Sequence, residues 1–265
     1  MPNTDWTIEE HILAFNLYCK IPFTKINERY PPVIELANII GRSNGAVSRK
    51  LANFARLDPA LQARNVSGLT HGAKGEEIVW NEFHGNWEKL AYESELILAK
   101  YKGISVESIV DLSDLPEIKE GKERESVVRT RVNQKFFRDT ILASYNQTCC
   151  ITGIQIPRLL IASHIIPWAN NEKERMNPQN GLCLNALHDK AFDTGLITVT
   201  PDYKIKISDF LKTNLNKETE EFFYLTKTAT YYCQVGSLPK ESFLNIIFGK
   251  FSFFNCWLFK KKTEH

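Results

Sequence analysis

Apolar residues in the first hundred positions recur with the period of an amphipathic helix. Thr7 followed by Glu10 has the pattern of a capping box, and the apolar stripe behind it predicts a first helix. Further stripes of the same period follow at intervals along this part of the chain. Residues 1–110 are therefore predicted to form a helical domain.

Two short helices joined by a tight turn are predicted inside this domain. Pro31 begins one apolar stripe, Gly41 ends it, and Ser43 can cap the next helix. This is the outline of a helix-turn-helix, whose second helix can lie in a major groove. Three basic residues in this region are candidates for DNA binding: Arg42, Arg49 and Lys50. The alternative is a small helical bundle with a solvated basic face.

A change of composition follows the helical domain. Residues 111–125 hold six acidic and three basic residues, a proline and no clear period, so residues 111–128 are predicted to be a charged linker. A basic helix with an apolar stripe is expected next, and its candidate DNA-binding residues are Arg129, Arg131 and Arg138.

From Cys150 onward, short apolar runs separated by turn residues replace the helical period. Residues 159–162 and 182–184 are predicted strands, with a long polar loop between them that ends in the hairpin-compatible pair Asn180-Gly181. A short helix is predicted up to Gly195, and a hairpin after it. The predicted fold class is α+β. Residues 231–265 are aromatic and then basic, and we assign this tail no role.

Composition limits the function classes. The formal net charge is only +2, so a nucleic-acid surface must come from local clusters of basic residues. With 43% hydrophobic residues the chain can fill a core, and it has no long apolar run and no signal-peptide pattern. Six cysteines without a disulfide framework fit a reducing compartment, so we expect a cytoplasmic protein away from membranes.

Three blocks of sequence stand in a characteristic order: residues 163–168, residues 177–182 and residues 187–193. Together they resemble the HNH endonucleases with a ββα-metal site, and the restriction-like bacterial branch in particular. The resemblance extends over residues 129–208. It implies a nuclease domain over residues 129–230 that acts on DNA.

The resemblance implies three roles, and each has a physical reason. His164 is the general base, because an imidazole that titrates near neutrality can take the proton from the attacking water. His188 holds a divalent cation, Mg²⁺ or Mn²⁺, which stabilises charge on the phosphate oxygens. Asn180 braces the loop between the two strands by bonding backbone groups with its amide.

One position departs from the family pattern. Many members have Asp or His immediately before the general base as a metal ligand, whereas this chain has Ser163. Asp189 and Asp193 are candidates to replace that ligand. Asp193 lies about 140° from His188 around an ideal helix, so those two residues need not share a face.

We therefore expect a metal-dependent endonuclease that hydrolyses phosphodiester bonds in DNA, in restriction, defence or a mobile element. Double-strand cleavage would require two active sites, as a homodimer would supply. A DNA-binding regulator with a decayed nuclease fold is the alternative from another class. A third hypothesis is a nuclease that acts on RNA or on modified DNA.

Overall fold

The structure is a computed structural model that describes residues 5–63, 65, 72–110, 122–224 and 239–248. Its described residues divide into two compact units, one that ends at Ala143 and one that begins at Ser144. We call them the N-terminal unit and the C-terminal unit. Within the described ranges, no helix is long and apolar enough to cross a membrane.

The N-terminal unit is helical, as predicted, and its first three helices begin where the capping residues indicate. The Thr7 main-chain N–H donates to Glu10 Oε2 at 2.7 Å, and the Glu10 N–H donates to Thr7 Oγ1 at 3.2 Å, which completes the capping box. Gly41 ends the second helix with φ of +69°. The helices are α1 Ile8–Lys20, α2 Pro31–Ile40, α3 Asn44–Ala55, α4 Pro59–Ala63, α5 Lys74–Phe83, α6 Trp87–Lys102 and α7 Lys122–Ser144.

Helix α1 contributes the centre of this unit's core. The Phe15 ring lies 5.0 Å from the Phe54 ring and 5.2 Å from the Trp80 ring, between centroids. Tyr18 is fully buried, and its hydroxyl donates to Asp58 at 2.8 Å. Large aromatic rings that are buried in contact with one another supply much of the stabilisation of such a bundle.

Two of the predicted DNA-binding residues are held inside the N-terminal unit. Lys50 is buried, its ammonium group pairs with Glu76, and it lies 3.2 Å from His11 Nε2. Arg42 pairs with Glu10 at 2.8 Å. This placement does not favour a DNA contact by Lys50, because removing a buried ammonium from its carboxylate would leave a buried charge.

Helix α7 changes the predicted boundary between linker and nuclease domain. Residues 111–121 of the predicted linker lie outside the described residues, but residues 122–128 form the first turns of α7. This helix clusters with the N-terminal unit up to Ala143. The Arg129 guanidinium lies 3.8 Å from the centroid of the Tyr92 ring. Arg129, Arg131 and Arg138 thus belong to the N-terminal unit.

The C-terminal unit is built on two small antiparallel sheets. Strand β1, Leu160–His164, pairs with β2, Gly181–Asn185, and Ser163 lies opposite Leu182 in the register. Asn180 ends a 3₁₀ turn and Gly181 begins β2, so these two residues do not form the hairpin turn that the dipeptide suggested. Its other elements are α8 Ala186–Asp193, β3 Ile197–Val199, β4 Ile205–Ile207, α9 Asp209–Asn214, α10 Lys217–Tyr224 and a helix over 241–248.

Strand β2 is buried throughout and forms the middle of this unit's core. The Tyr145 hydroxyl donates to the carbonyl oxygen of Gly181 at 3.1 Å, and Cys183 packs as a small core residue. Asn185 caps α8, because its side-chain oxygen accepts from the main-chain N–H groups of Leu187 and His188 at 3.1 and 3.0 Å. Strand, loop, strand and helix follow in the predicted order.

Candidate active site

Strand β1 places His164 at its last position, opposite Gly181 of β2. The His164 side chain is half-buried, and its Nε2 lies 3.0 Å from the carbonyl oxygen of Arg175. A carbonyl oxygen only accepts, so Nε2 carries the hydrogen in the neutral ring and Nδ1 carries the lone pair. Burial lowers the pKa of His164, which keeps the ring neutral at physiological pH.

Asn180 holds the two ends of the loop between β1 and β2. Its side-chain oxygen accepts from the Ile166 N–H at 2.8 Å, and its Nδ2 donates to the carbonyls of Ile166 and Glu174 at 3.1 and 3.2 Å. The residue is fully buried. These are the bracing hydrogen bonds expected of Asn180, and they fix the main chain that follows His164.

A cavity of about 270 Å³ opens beside His164. The C-terminal end of α8 contributes Asp193 to its lining, and the cavity also contacts Pro167, Phe192, Thr194 and Thr198. Loss of solvation raises the pKa of the Asp193 carboxyl, and the charge of Asp189 raises it further. The cavity thus brings the predicted base and one predicted carboxylate to a single surface.

His188 lies in the first turn of α8 and is only 1% exposed. Its Nδ1 accepts from Asn185 Nδ2 at 2.8 Å, so Nε2 carries the hydrogen in the neutral ring. The Phe222 and Phe223 rings lie 4.6 and 5.3 Å away between centroids. Burial lowers the pKa of His188 to about 4. Within the described part of the chain, Nε2 makes no hydrogen bond of good geometry, although the Phe222 main chain lies close enough to raise the pKa.

The contacts of Asn185 tie the start of α8 to the turn before β1. Its Nδ2 also donates to Thr152 Oγ1 at 3.1 Å, and its main-chain N–H donates to Cys149 Sγ at 3.3 Å. The sequence pattern predicted the short helix up to Gly195 but no side-chain contact for Asn185. An N-cap asparagine three residues before a histidine is a signal that such a pair can bond.

A comparison with protein-family models covers this same part of the chain. Residues 149–200 match the HNH endonuclease family. We call them the HNH segment; they include β1, the loop, β2, α8 and β3. The match indicates a nuclease of this family and covers about a fifth of the 265 residues. A comparison with curated proteins finds no match.

The metal ligands predicted in the HNH segment do not form a group. Among the residues that the structure describes, no cluster of three or more His, Cys, Asp or Glu side chains could hold a metal ion. The His188 Nε2 carries a hydrogen and lies among phenylalanine rings, whereas a metal needs a ring nitrogen with a lone pair. The surroundings of His188 therefore do not fit the ligand role, while Asp193 lies at the cavity.

Two residues beside His164 were not singled out from the sequence. The Trp168 ring meets the His164 ring edge to face at 5.5 Å between centroids, and the Arg175 guanidinium lies 5.1 Å from the Trp168 ring centroid. Trp168 is the last residue of the first motif block, and Arg175 lies in the polar loop between the two strands. Neither contact has a periodic signal in the sequence, because the loop conformation creates both.

Proposed function

We propose that the protein is an endonuclease that hydrolyses phosphodiester bonds in DNA, with His164 as its general base. The observation that carries this proposal is the state of the His164 ring inside the HNH segment. Its Nε2–H is bonded to the Arg175 carbonyl, so the lone pair of the neutral ring lies on Nδ1. A neutral imidazole beside a cavity is suited to accept a proton from water.

In the proposed reaction, water attacks the phosphorus in line with the leaving oxygen, and His164 Nδ1 takes the proton of that water. The bond from phosphorus to the leaving oxygen breaks as the new P–O bond forms, and the leaving oxygen takes a proton from solvent water. The resulting imidazolium keeps its Nε2–H bond to the Arg175 carbonyl, which is a stronger hydrogen bond once the ring is charged. Nucleases of the HNH family are generally dependent on a divalent metal ion. The step assigned to His164 does not require that His188 holds one.

The DNA-binding part of the proposal assigns the N-terminal unit to recognition. Helices α2 and α3 are joined by the tight turn that Gly41 and Ser43 make, and Arg49 is exposed on α3. An exposed arginine on the second helix of such a pair suits phosphate or base contacts. Arg129, Arg131 and Arg138 on α7 are further candidates for phosphate contacts.

The experiment that tests the nuclease proposal incubates the full chain with supercoiled plasmid in Mg²⁺, in Mn²⁺ and in excess EDTA. We expect nicked or linear plasmid with at least one of the two metals and none in EDTA. Linear plasmid that forms in a single binding event, without a nicked intermediate, would indicate that two active sites act together. RNA and plasmid with modified bases serve as parallel substrates, and cleavage restricted to either would replace unmodified DNA as the substrate. Plasmid binding without any cut under all conditions would favour the regulator instead.

A further inference from the structure

The loop residue Arg175 is joined to the general base through its main chain. The carbonyl oxygen of Glu174 accepts from Asn180 Nδ2 at 3.2 Å, and the carbonyl oxygen of Arg175 accepts from His164 at 3.0 Å. Two successive peptide groups are therefore held by buried or half-buried side chains. This fixes the point from which the Arg175 side chain leaves the loop.

The Arg175 side chain is linked to His164 a second time, through the ring of Trp168. Its guanidinium lies 5.1 Å from the centroid of the Trp168 ring, and that ring contacts His164 at 5.5 Å. A single indole therefore separates a permanent positive charge from the general base. A cation–π contact with an aromatic face limits the positions of the guanidinium in advance, so less side-chain entropy is lost when it forms hydrogen bonds.

We propose that Arg175 binds the phosphate that is cut and neutralises the charge that builds on its non-bridging oxygens. This inference rests on the proposed nuclease function. The guanidinium fork matches two phosphate oxygens, and the charge stays positive at any pH at which His164 is neutral. The neighbouring carboxylate of Glu174 is engaged by Asn177 Nδ2 at 2.6 Å and lies 3.8 Å from the Lys240 ammonium.

The test separates the side chain of Arg175 from its main chain. Arg175→Gln in the full chain keeps the carbonyl that holds His164, so any change reports on the guanidinium. We expect single-turnover plasmid cleavage to fall about 100-fold, as when one preorganised transition-state donor is removed. The slope of log binding constant against log salt should fall by about one phosphate contact. Arg175→Lys should retain that slope and an intermediate rate, because it keeps the charge and loses the fork.

Two further variants control for charge and for folding. Arg158→Gln removes an exposed arginine from the turn before β1 and should leave the cleavage rate within about 3-fold of wild type, the level of a typical surface substitution. Arg175→Met keeps an apolar stem against Trp168. If Arg175→Met and Arg175→Lys fold alike and cut at the same rate, the charge has no role and the proposal is overturned.

The outcomes also separate this inference from the nuclease proposal. If wild type cuts plasmid and Arg175→Gln cuts it at the same rate with the same salt slope, the nuclease proposal is kept. The proposed role of Arg175 in phosphate binding is then rejected. If wild type never cuts, the nuclease proposal fails, and the salt slope of DNA binding alone decides whether Arg175 binds phosphate. A slope lowered by about one supports phosphate binding, and an unchanged slope rejects it.

Discussion

The two motif histidines of the HNH segment lie in opposite chemical states. His164 donates from Nε2 to a carbonyl, which leaves the lone pair of the neutral ring on Nδ1, and the residue lines a cavity. His188 accepts at Nδ1 from Asn185, which leaves an N–H among phenylalanine rings. The first ring can take a proton on Nδ1 near neutral pH, whereas the Nδ1 lone pair of the second is engaged by Asn185 and burial lowers the pKa of that ring to about 4. The identity of the hydrogen-bond partner therefore separates the two roles, although both residues carry the same side chain.

The tautomer at His188 follows from the cap of α8. Asn185 Oδ1 accepts from the main-chain N–H groups of Leu187 and His188, so the amide oxygen is fixed toward the backbone. The amide nitrogen must then face the imidazole and donate to it. A capping interaction thus sets the protonation state of a buried histidine.

The largest expected effect is on the cleavage rate, when His164 is replaced. His164→Ala should lower plasmid cleavage by about 10²- to 10⁴-fold, because it removes a general base and leaves the phosphate contacts in place. Binding to plasmid and the thermal midpoint should stay close to wild type. His84→Ala, which removes a histidine stacked on Trp80 outside the HNH segment, is the matched control. A His164→Ala rate above about a tenth of wild type would remove the general-base role.

The second largest effect is expected on stability, when His188 is replaced. His188→Ala leaves a cavity beside Phe222 and an unpaired Asn185 donor, so the free energy of unfolding should fall by about 2–4 kcal/mol in urea titration. If His188 is not a metal ligand, excess Mg²⁺ or Mn²⁺ should raise the thermal midpoints of wild type and variant equally. Stabilisation by metal in wild type alone would restore the ligand role.

The buried state of His188 should also make the free energy of unfolding depend on pH in acid. The pKa of His188 is about 4 in the folded chain and 6.5 in an ordinary histidine, so unfolding takes up a proton between these values. The contribution of the neutral His188 ring to the free energy of unfolding is fully present above pH 6.5. It is lost as pH falls toward 4, because the unfolded chain binds the proton more tightly. The stability advantage of wild type over His188→Gln should shrink by up to about 3 kcal/mol across this window. An advantage independent of pH would show that the ring titrates normally.

The smallest effect concerns the N-terminal unit. Arg49→Gln should lower the salt slope of DNA binding by about one contact and weaken cleavage through binding alone. Arg29→Gln, another exposed arginine of the same unit, should change neither quantity. Equal behaviour of the two variants would mean that α3 presents only a solvated basic face.

The helices and strands were largely predictable because their signals are local. Caps such as Thr7 and Ser43 and stops such as Gly41 act within one turn, and the structure has them where the sequence indicates. Lys50 was predictable in principle as well. It lies three residues after Val47 and one before Leu51, on the apolar face of α3, and its charge hid this position.

The site was predictable only as far as its motifs reach. His164 and Asn180 follow from three blocks of sequence, and the bracing bonds of Asn180 have the expected form. The pairing of His164 with the Arg175 carbonyl depends on the conformation of a long loop, which no periodic pattern encodes. The enclosure of His188 depends on α10, a segment that lies almost thirty residues later in the chain.

The buried pair of Lys50 and Glu76 has a consequence for variant libraries of this chain. In a selection for folded protein, single apolar replacements at either position should disappear, because each leaves one buried charge without its partner. Double replacement by apolar residues of similar volume should survive, since both charges leave together. The two positions should therefore behave as one unit of selection, with tolerance that appears only when they change in the same clone.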